Sequence, residues 1–225
     1  MLALSKRLSL IASLVKSGSR VCDVGTDHGY LPAFLYLSGK MKSVVATDIR
    51  KKPLASAKSN LERLEATGVR LILCDGLEAV TRDMADTVII AGMGGEVISG
   101  IIDRAAFLRD STVELILQPT TAAKELRQYL SKNGFEVGRE IAVIENGKIY
   151  SVMLVNFTGK PYTLNSVQEL IGILKPDSPD AIEYISKQYR IAQKCADDLA
   201  KVSYKQEQYN YYLNLSNQLK EILGG

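Results

Sequence analysis

Histidine occurs once in the 225 residues, cysteine three times and tryptophan not at all. Cys22, Cys74 and Cys195 lie far apart and His28 stands alone, so neither a zinc cluster nor a disulfide framework is indicated and no metal is expected. Long apolar runs are missing too, and with them any transmembrane span. Met1 to Leu14 sets Lys6 and Arg7 among apolar residues without a small-residue cleavage site, which argues against a signal peptide. A protein of a reducing cytoplasm, without a membrane partner, fits these gaps. The 46% of hydrophobic residues suffices for one full α/β domain and a second, smaller element.

Charge of one sign is scarce only in total. The formal charge of +3 conceals a gradient: residues 1 to 70 hold twelve Lys and Arg against five acids, a balance of +7, the middle is acidic, and residues 160 to 225 carry eight of each sign. A polyanion would find its footprint in the first third, because phosphate neutralisation supplies most sequence-independent affinity. A solvated basic face with no partner is the plain alternative.

Strand-length apolar runs at Arg20 to Val24, Ser43 to Asp48, Val69 to Leu73, Thr87 to Ala91 and Val113 to Gln118 alternate with helical spacing at Leu4 to Val15, Leu31 to Ser38, Pro53 to Ala66, Glu96 to Arg104 and Thr121 to Asn133. This alternation predicts βαβ units winding a parallel sheet buried on both faces. Pro53 suits a first helical turn, and Gly68 and Gly134 mark helix ends. Glu136 to Glu145 and Lys148 to Phe157 flank Asn146-Gly147, a strong hairpin signal. Five parallel strands closed by an antiparallel hairpin form the pattern of the common methyltransferase fold, whereas a dinucleotide dehydrogenase would continue with further βαβ units. Glycine and proline are then absent from Asp180 to Leu223. That stretch predicts either a helical hairpin of coiled-coil character or one bent helix, with Tyr189 and Tyr212 in the seam and the other tail tyrosines available to face outward.

The first strand ends in Asp23-Val24-Gly25-Thr26-Asp27-His28-Gly29-Tyr30, where Gly25 and Gly29 suit a turn that approaches a ligand closely. The third glycine of a dinucleotide fingerprint is missing, and Asp23 and Asp27 surround the loop instead. Phosphate would be repelled there, while S-adenosyl-L-methionine, with a sulfonium, an ammonium and no phosphate, would be welcomed. Asp48 closes the second strand, where an acid can accept from both ribose hydroxyls. Asp75, before Gly76, could accept from an adenine amino group, with Cys74 and Leu77 as apolar neighbours of the ring. Each acid alone could be a helix N-cap; three at successive strand ends make a nucleoside cradle. Ala91-Gly92-Met93-Gly94-Gly95 follows the fourth strand, where glycines would let a flat base approach, although a tight turn explains them equally. Gln118-Pro119 puts an amide on the same edge, for substrate or for capping a loop. The Asn-Pro-Pro-aromatic motif of many amino-methylating enzymes is absent.

Asp23 to Tyr30, Ala91 to Gly95 and Leu117-Gln118-Pro119, together with the opening Leu4-Ser5-Lys6-Arg7-Leu8, resemble the bacterial tRNA (adenine-22-N1)-methyltransferase family. The resemblance implies a Rossmann-like class I methyltransferase domain over 1 to 159, with a mostly parallel seven-stranded sheet, and a small coiled-coil-like helical domain over 160 to 225. It also implies S-adenosyl-L-methionine as cofactor and tRNA as partner. Asp23, Gly25, Asp27, His28, Gly29, Asp48, Ile49, Asn60, Asp75, Gly76, Ala91 and Gly92 are then expected on the cofactor side, and Asp27, Gly92, Met93, Gly94, Gln118 and Pro119 on the acceptor side. Lys6, Arg7, Lys51, Lys201 and Lys205 are expected to meet RNA. His28 is not expected to be an obligatory base, since N1 of neutral adenine has no proton to lose. A monomer or weak dimer is expected. Another RNA or a protein as methyl acceptor, or an RNA-binding protein with a vestigial pocket, are the competing readings, and a nicotinamide oxidoreductase is the weakest.

Overall fold

The computed structural model describes residues 2–200 and 203–224. Helix α1 (Lys6–Leu14) precedes strand β1 (Arg20–Val24), and α2 (Tyr30–Leu37), β2 (Ser43–Asp48), α3 (Lys51–Arg63) and β3 (Arg70–Leu73) follow. Next come β4 (Thr87–Gly94), α4 (Gly95–Arg104), β5 (Glu114–Thr121), α5 (Ala123–Lys132), and the long strands β6 (Phe135–Glu145) and β7 (Lys148–Phe157). The tail holds α6 (Ser166–Ile171), α7 (Pro179–Leu199) and α8 (Gln206–Ile222). One seven-stranded sheet runs β3-β2-β1-β4-β5-β7-β6, parallel except where β7 pairs with β5 and β6. This is the Rossmann-like methyltransferase sheet the residue pattern calls for.

Its physical causes are those read from the pattern. The apolar strands are covered on both faces: Val24, Val88, Ile90, Leu115 and Leu117 pack toward α4 and α5, while Val21, Ala46, Ile89 and Ile116 pack toward α1 to α3. Asn146 and Gly147 both take positive φ, at 51° and 71°, the requirement of a two-residue hairpin turn whose twist matches its strands. Gly134 ends α5 at φ 75°. Gly68 does not end α3; that left-handed residue is Glu65, at φ 59°, and Gly68 is required because a Cβ there would strike the Tyr36 ring.

In the tail the continuous helical pattern resolves into a hairpin of α7 against α8. α6 escapes the sequence reading, although its signal is present: Asn165 accepts from the Gln168 amide while Gln168 accepts from the Asn165 amide, a reciprocal cap. Ala142 of β6 joins Val167, Ile171, Ile185, Leu215 and Leu219 in a third apolar cluster, so the tail packs on the sheet's hairpin. Tyr189 and Tyr212 pack against that cluster, as expected of seam residues. Tyr184 does not face outward; it is buried, and its hydroxyl accepts from Arg127 at 3.1 Å.

Arg127 forms a buried ion pair with Glu140 at 2.6 Å, their side chains 2% and 0% exposed. Its Nη1 donates to the carbonyls of Glu169 and Leu170 at 3.0 and 2.9 Å, closing the end of α6. Glu140 Oε2 accepts from Ile173 N at 3.2 Å. Gly172, at φ 60°, lies where a Cβ would fall on that carboxylate. Sheet and tail therefore share one polar network in which every charge has a partner.

Candidate active site

At β1 the strand order turns, β2 lying on one side and β4 on the other, and a crevice opens beyond the strand ends, where open α/β sheets bind ligands. It holds a cavity of about 590 Å³, within the range of small-molecule sites. Two backbone hydrogen bonds and one from a side chain shape it. The amides of Gly25 and Thr26 donate to the Thr47 carbonyl at 2.8 and 3.0 Å, and Thr47 Oγ1 donates to the Gly76 carbonyl at 2.9 Å. The loops after β1 and β3 are thereby pinned to the end of β2.

Asp23, Gly25, Asp27, His28, Asp48, Ile49, Asp75, Gly76, Ala91, Gly92 and Met93 all line the cavity, and Arg7 joins them. Asp23 is 5% exposed. Burial pushes its carboxyl up to about 6, and the nearby Asp48 charge adds to the rise. The Thr26 hydroxyl tempers that shift but makes no hydrogen bond of proper geometry, leaving a buried polar atom free on the cavity wall. Asp48 Oδ1 accepts from Arg50 N at 2.8 Å, and no hydrogen bond among the described residues uses its other oxygen. Asp27 holds φ 50°, a conformation tolerated by a short polar side chain, and its Oδ2 lies 3.4 Å from His28 Nε2. His28 Nδ1 lies 3.1 Å from Ser56 Oγ, so the ring stands at the rim, 56% exposed at the side chain. Asp75 pairs with Arg104 at 3.3 Å.

Several expectations are corrected. Asn60 does not line the cavity; its amide donates to the His28 carbonyl at 3.0 Å and holds the loop from behind. Gly29 is required by packing, since a Cβ would come within 3.1 Å of the Ala57 Cβ on α3. Gly25 is required by its φ of 74°, and a Cβ there would meet the Met93 methyl, the movable end of a flexible side chain on the cavity wall. Of the three glycines at the end of β4 and the start of α4 only Gly92 faces the cavity. Gly94 and Gly95 make room for Thr121 and Ala122 behind it. Leu77 is buried in the core and Cys74 is not on the wall; Ile49, Val97 and Ile101 supply the apolar surface instead. Val97 and Ile101 stand one turn apart on α4, a spacing that says "buried face" without saying toward what.

Gln118 and Pro119 also lie elsewhere than expected. Ala91 pairs with Gln118 and Met93 with Pro119, so Gly92 is the extra residue of a β-bulge. Its freed amide donates to Gln118 Oε1 at 3.1 Å, and Arg7 Nη1 donates to the same oxygen at 2.7 Å. Gln118 Nε2 donates to the Pro119 carbonyl at 2.8 Å. The amide is 0% exposed and engaged inside the protein at both its oxygen and its nitrogen, a support beneath Gly92. Arg7 is itself held by Glu145, which accepts from Arg7 N at 2.9 Å and pairs with Nε at 3.4 Å.

The expected RNA contacts scatter. Lys6 is paired with Asp180 at 2.6 Å and Arg7 belongs to the cavity wall. Lys51 is exposed at the start of α3. Lys205 lies 6.0 Å from the centre of the exposed Tyr204 ring, and Lys201 falls outside the described residues.

The residues present suit S-adenosyl-L-methionine: acids at three strand ends, an unpartnered hydroxyl, and apolar side chains for a flat ring. A family profile described as a methyltransferase domain matches residues 4–153. The tRNA (adenine(22)-N(1))-methyltransferase of Bacillus subtilis (strain 168) is 32% identical over 174 residues, 77% of this chain and 73% of that protein. The crystal structure of the B. subtilis M1A22 tRNA methyltransferase TrmK superposes with a TM-score of 0.84 at 27% identity, covering 99% of this chain and 100% of that one. Streptococcus pneumoniae Sp1610, solved in complex with S-adenosyl-L-methionine, gives 0.80 at 32% identity over 98% and 100% of the two chains.

Proposed function

We infer the activity from a plain premise: this chain belongs to the methyltransferase-domain family, and within it to the tRNA (adenine-22-N1)-methyltransferases. It is an S-adenosyl-L-methionine-dependent enzyme that methylates N1 of adenine 22 in tRNA. The single observation in the site that best supports this reading is the ring of acids at the ends of β1, β2 and β3 around an apolar slot, a cradle for a cationic nucleoside. When bound, S-adenosyl-L-methionine supplies a methyl group carried on a positively charged sulfur.

The chain's own residues do the rest. Asp48 accepts the ribose hydroxyls through its uncommitted oxygen, Asp75 and the Gly76 backbone meet the adenine edge, and Ile49, Val97 and Ile101 clasp the ring. Asp23 and Asp27 bring negative charge to the ammonium and sulfonium end. On the acceptor side N1 of neutral adenine offers a lone pair and carries no proton, so the protein has to align, dry and polarise, and no base is required. Gly92 gives the target ring its backbone surface, fixed from below by Gln118. Arg7 borders that surface, and Glu145 neutralises it, so the wall does not oppose the positive charge that passes to the base. His28, tied to Ser56 and beside Asp27, orders the loop.

The macromolecular partner is tRNA and the compartment the cytoplasm; no helix among the described residues is long and apolar enough to cross a membrane. Incubation with tRNA and labelled cofactor, nuclease digestion and mass spectrometry test the reading. N1-methyladenosine from position 22 is expected. A folded, cofactor-binding protein that methylates another base, or no RNA at all, would refute it.

A further inference from the structure

The ion pairs of α1 raise the question of which cations meet the RNA. Past Pro119 the surface continues into a groove between the start of β7 and α7, in two adjoining parts of about 310 and 430 Å³ that share Thr120, Ile149, Tyr150 and Lys187. Two contacts join this groove to the acceptor side of the cavity. Pro119 lines the groove and pairs in register with Met93, which lines the cavity. The Arg7 guanidinium, also on the cavity wall, lies 5.9 Å from the centre of the Tyr150 ring.

The charges along the groove are not equivalent. Lys124 is engaged by Glu169 at 3.1 Å, and Glu183 by Arg190 at 2.6 Å. The Glu125 carboxylate, beside Lys124 in the part of the groove that Lys148 does not line, enters no ion pair among the described residues, and neither do the side chains of Lys148 on β7 and Lys187 on α7. Two uncompensated ammonium groups, from different elements, thus border a slot floored by Ile149 and the half-buried Tyr150 ring. A base brought to Gly92 carries its chain with it, and its neighbours have to leave along a surface continuous with the cavity mouth.

We propose that this groove seats the single-stranded RNA segment flanking the target nucleotide, with Lys148 and Lys187 on its phosphates and Tyr150 against a neighbouring base or ribose. The proposal rests on the tRNA-methyltransferase reading and names where that substrate lies. Cations beside an aromatic surface are what an unpaired RNA strand requires: phosphate neutralisation gives affinity and the ring gives a sequence-tolerant platform.

The test uses the full chain, with tRNA binding followed across a salt series and methyl transfer followed kinetically. Lys148→Ala with Lys187→Ala should weaken tRNA binding about ten-fold and lower the salt slope by about 1.4, at roughly 0.7 per lost single-strand phosphate contact. Cofactor affinity and melting temperature should stay at wild-type values. Tyr150→Leu, which keeps apolar bulk without the ring, should lower kcat/KM for tRNA about ten-fold. Lys220→Ala, on the exposed face of α8, is the control for bulk charge. An unchanged salt slope in the double variant, or an equal loss in Lys220→Ala, overturns the groove while leaving the enzyme reading intact. Failure of the wild-type protein to methylate tRNA overturns both.

Discussion

Acidity should loosen the cofactor through one residue, Asp23. Its carboxyl is 5% exposed and pushed up from 3.8 to about 6, by burial first and the Asp48 charge second. In the ligand-free protein the folded state therefore holds its proton more tightly than the unfolded chain. The stability linked to this group is present below pH 4 and lost as pH rises through 6. About two units correspond to roughly 3 kcal/mol set against the ionised form at neutral pH. A cationic ligand reverses the preference, because it interacts with the carboxylate and not with the acid. Binding of S-adenosyl-L-methionine should accordingly require Asp23 to ionise. Affinity should be flat above pH 7 and fall about ten-fold per unit once well below 6.

Isothermal titration between pH 5 and 7.5, in a buffer of constant ionic strength, measures this directly. Asp23→Asn should bind at neutral pH at least as weakly as the wild type does at pH 5, and its affinity should not change across the range. S-adenosylhomocysteine, which keeps the ammonium and lacks the sulfonium charge, separates the two cations: an equal pH dependence assigns Asp23 to the ammonium, a lost one to the sulfonium. The reasoning fails if wild-type affinity is constant from pH 7.5 to 5 in a folded protein, or if Asp23→Asn shows the same decline.

Asp48→Ala should weaken cofactor binding by about 1.5 to 3 kcal/mol, the worth of hydrogen bonds to a charged group; Asp48→Asn, which can still accept from Arg50 N, controls for loss of the turn. Arg127→Leu should destabilise the fold by about 3 to 5 kcal/mol in denaturant titrations by stranding Glu140, and Arg127→Leu with Glu140→Leu should recover much of that loss. His28→Gln should retain a single-turnover rate within about ten-fold of wild type, because no proton leaves N1; a loss of about 10³ or more would show that a base is needed.

The strands were legible because each is a short apolar run between turn residues. β1, β2 and β7 begin and end at the residues the pattern indicates, and Asn146-Gly147 forms the turn its dihedrals favour. The three acids were legible because strand ends on one edge of a parallel sheet converge whatever the loops do. Gly94, Gly95, Gln118 and Pro119 were not: Gln118 is turned onto the Gly92 amide, and the β4–β5 register shifts twice, at Gly92 and again between Pro119 and Thr121. Such irregularities alter which side chains reach the edge, and no local signal distinguishes a glycine that admits a ligand from one that admits a carbonyl. The network of Arg127, Glu140 and Tyr184 joins residues up to 57 positions apart. In sequence each is a polar residue in an amphipathic element, and only the packing of the tail on β6 makes them a unit. The same packing changes what a truncation means. Removing residues 160 to 225 would uncover Arg127 and Glu140 and take away the Glu169 and Leu170 carbonyls, so lost activity would report a damaged core as much as a missing RNA contact.

The charge gradient shows most clearly where sequence reasoning needs the fold. The first four cations of the chain all find acids far along it: Lys6 with Asp180, Arg7 with Glu145, Lys16 with Glu114 and Arg20 with Asp86. Part of the basic first third is thus compensated by the acidic middle and the tail, and these pairs fasten α1 and the first strand to the sheet and to α7. Surface pairs of this kind add little stability, and a polyanion competing for their cations would also have to release the acids. A count of +7 over seventy residues measures what the side chains carry, whereas RNA responds to what the fold leaves uncompensated beside the site. By that criterion Lys148 and Lys187, from stretches that are acidic or neutral overall, weigh more than Lys6 or Arg7. Charge-reversal of Lys6 and Arg7 would strain the clamp on Glu145 and Gln118 before it tested any phosphate contact.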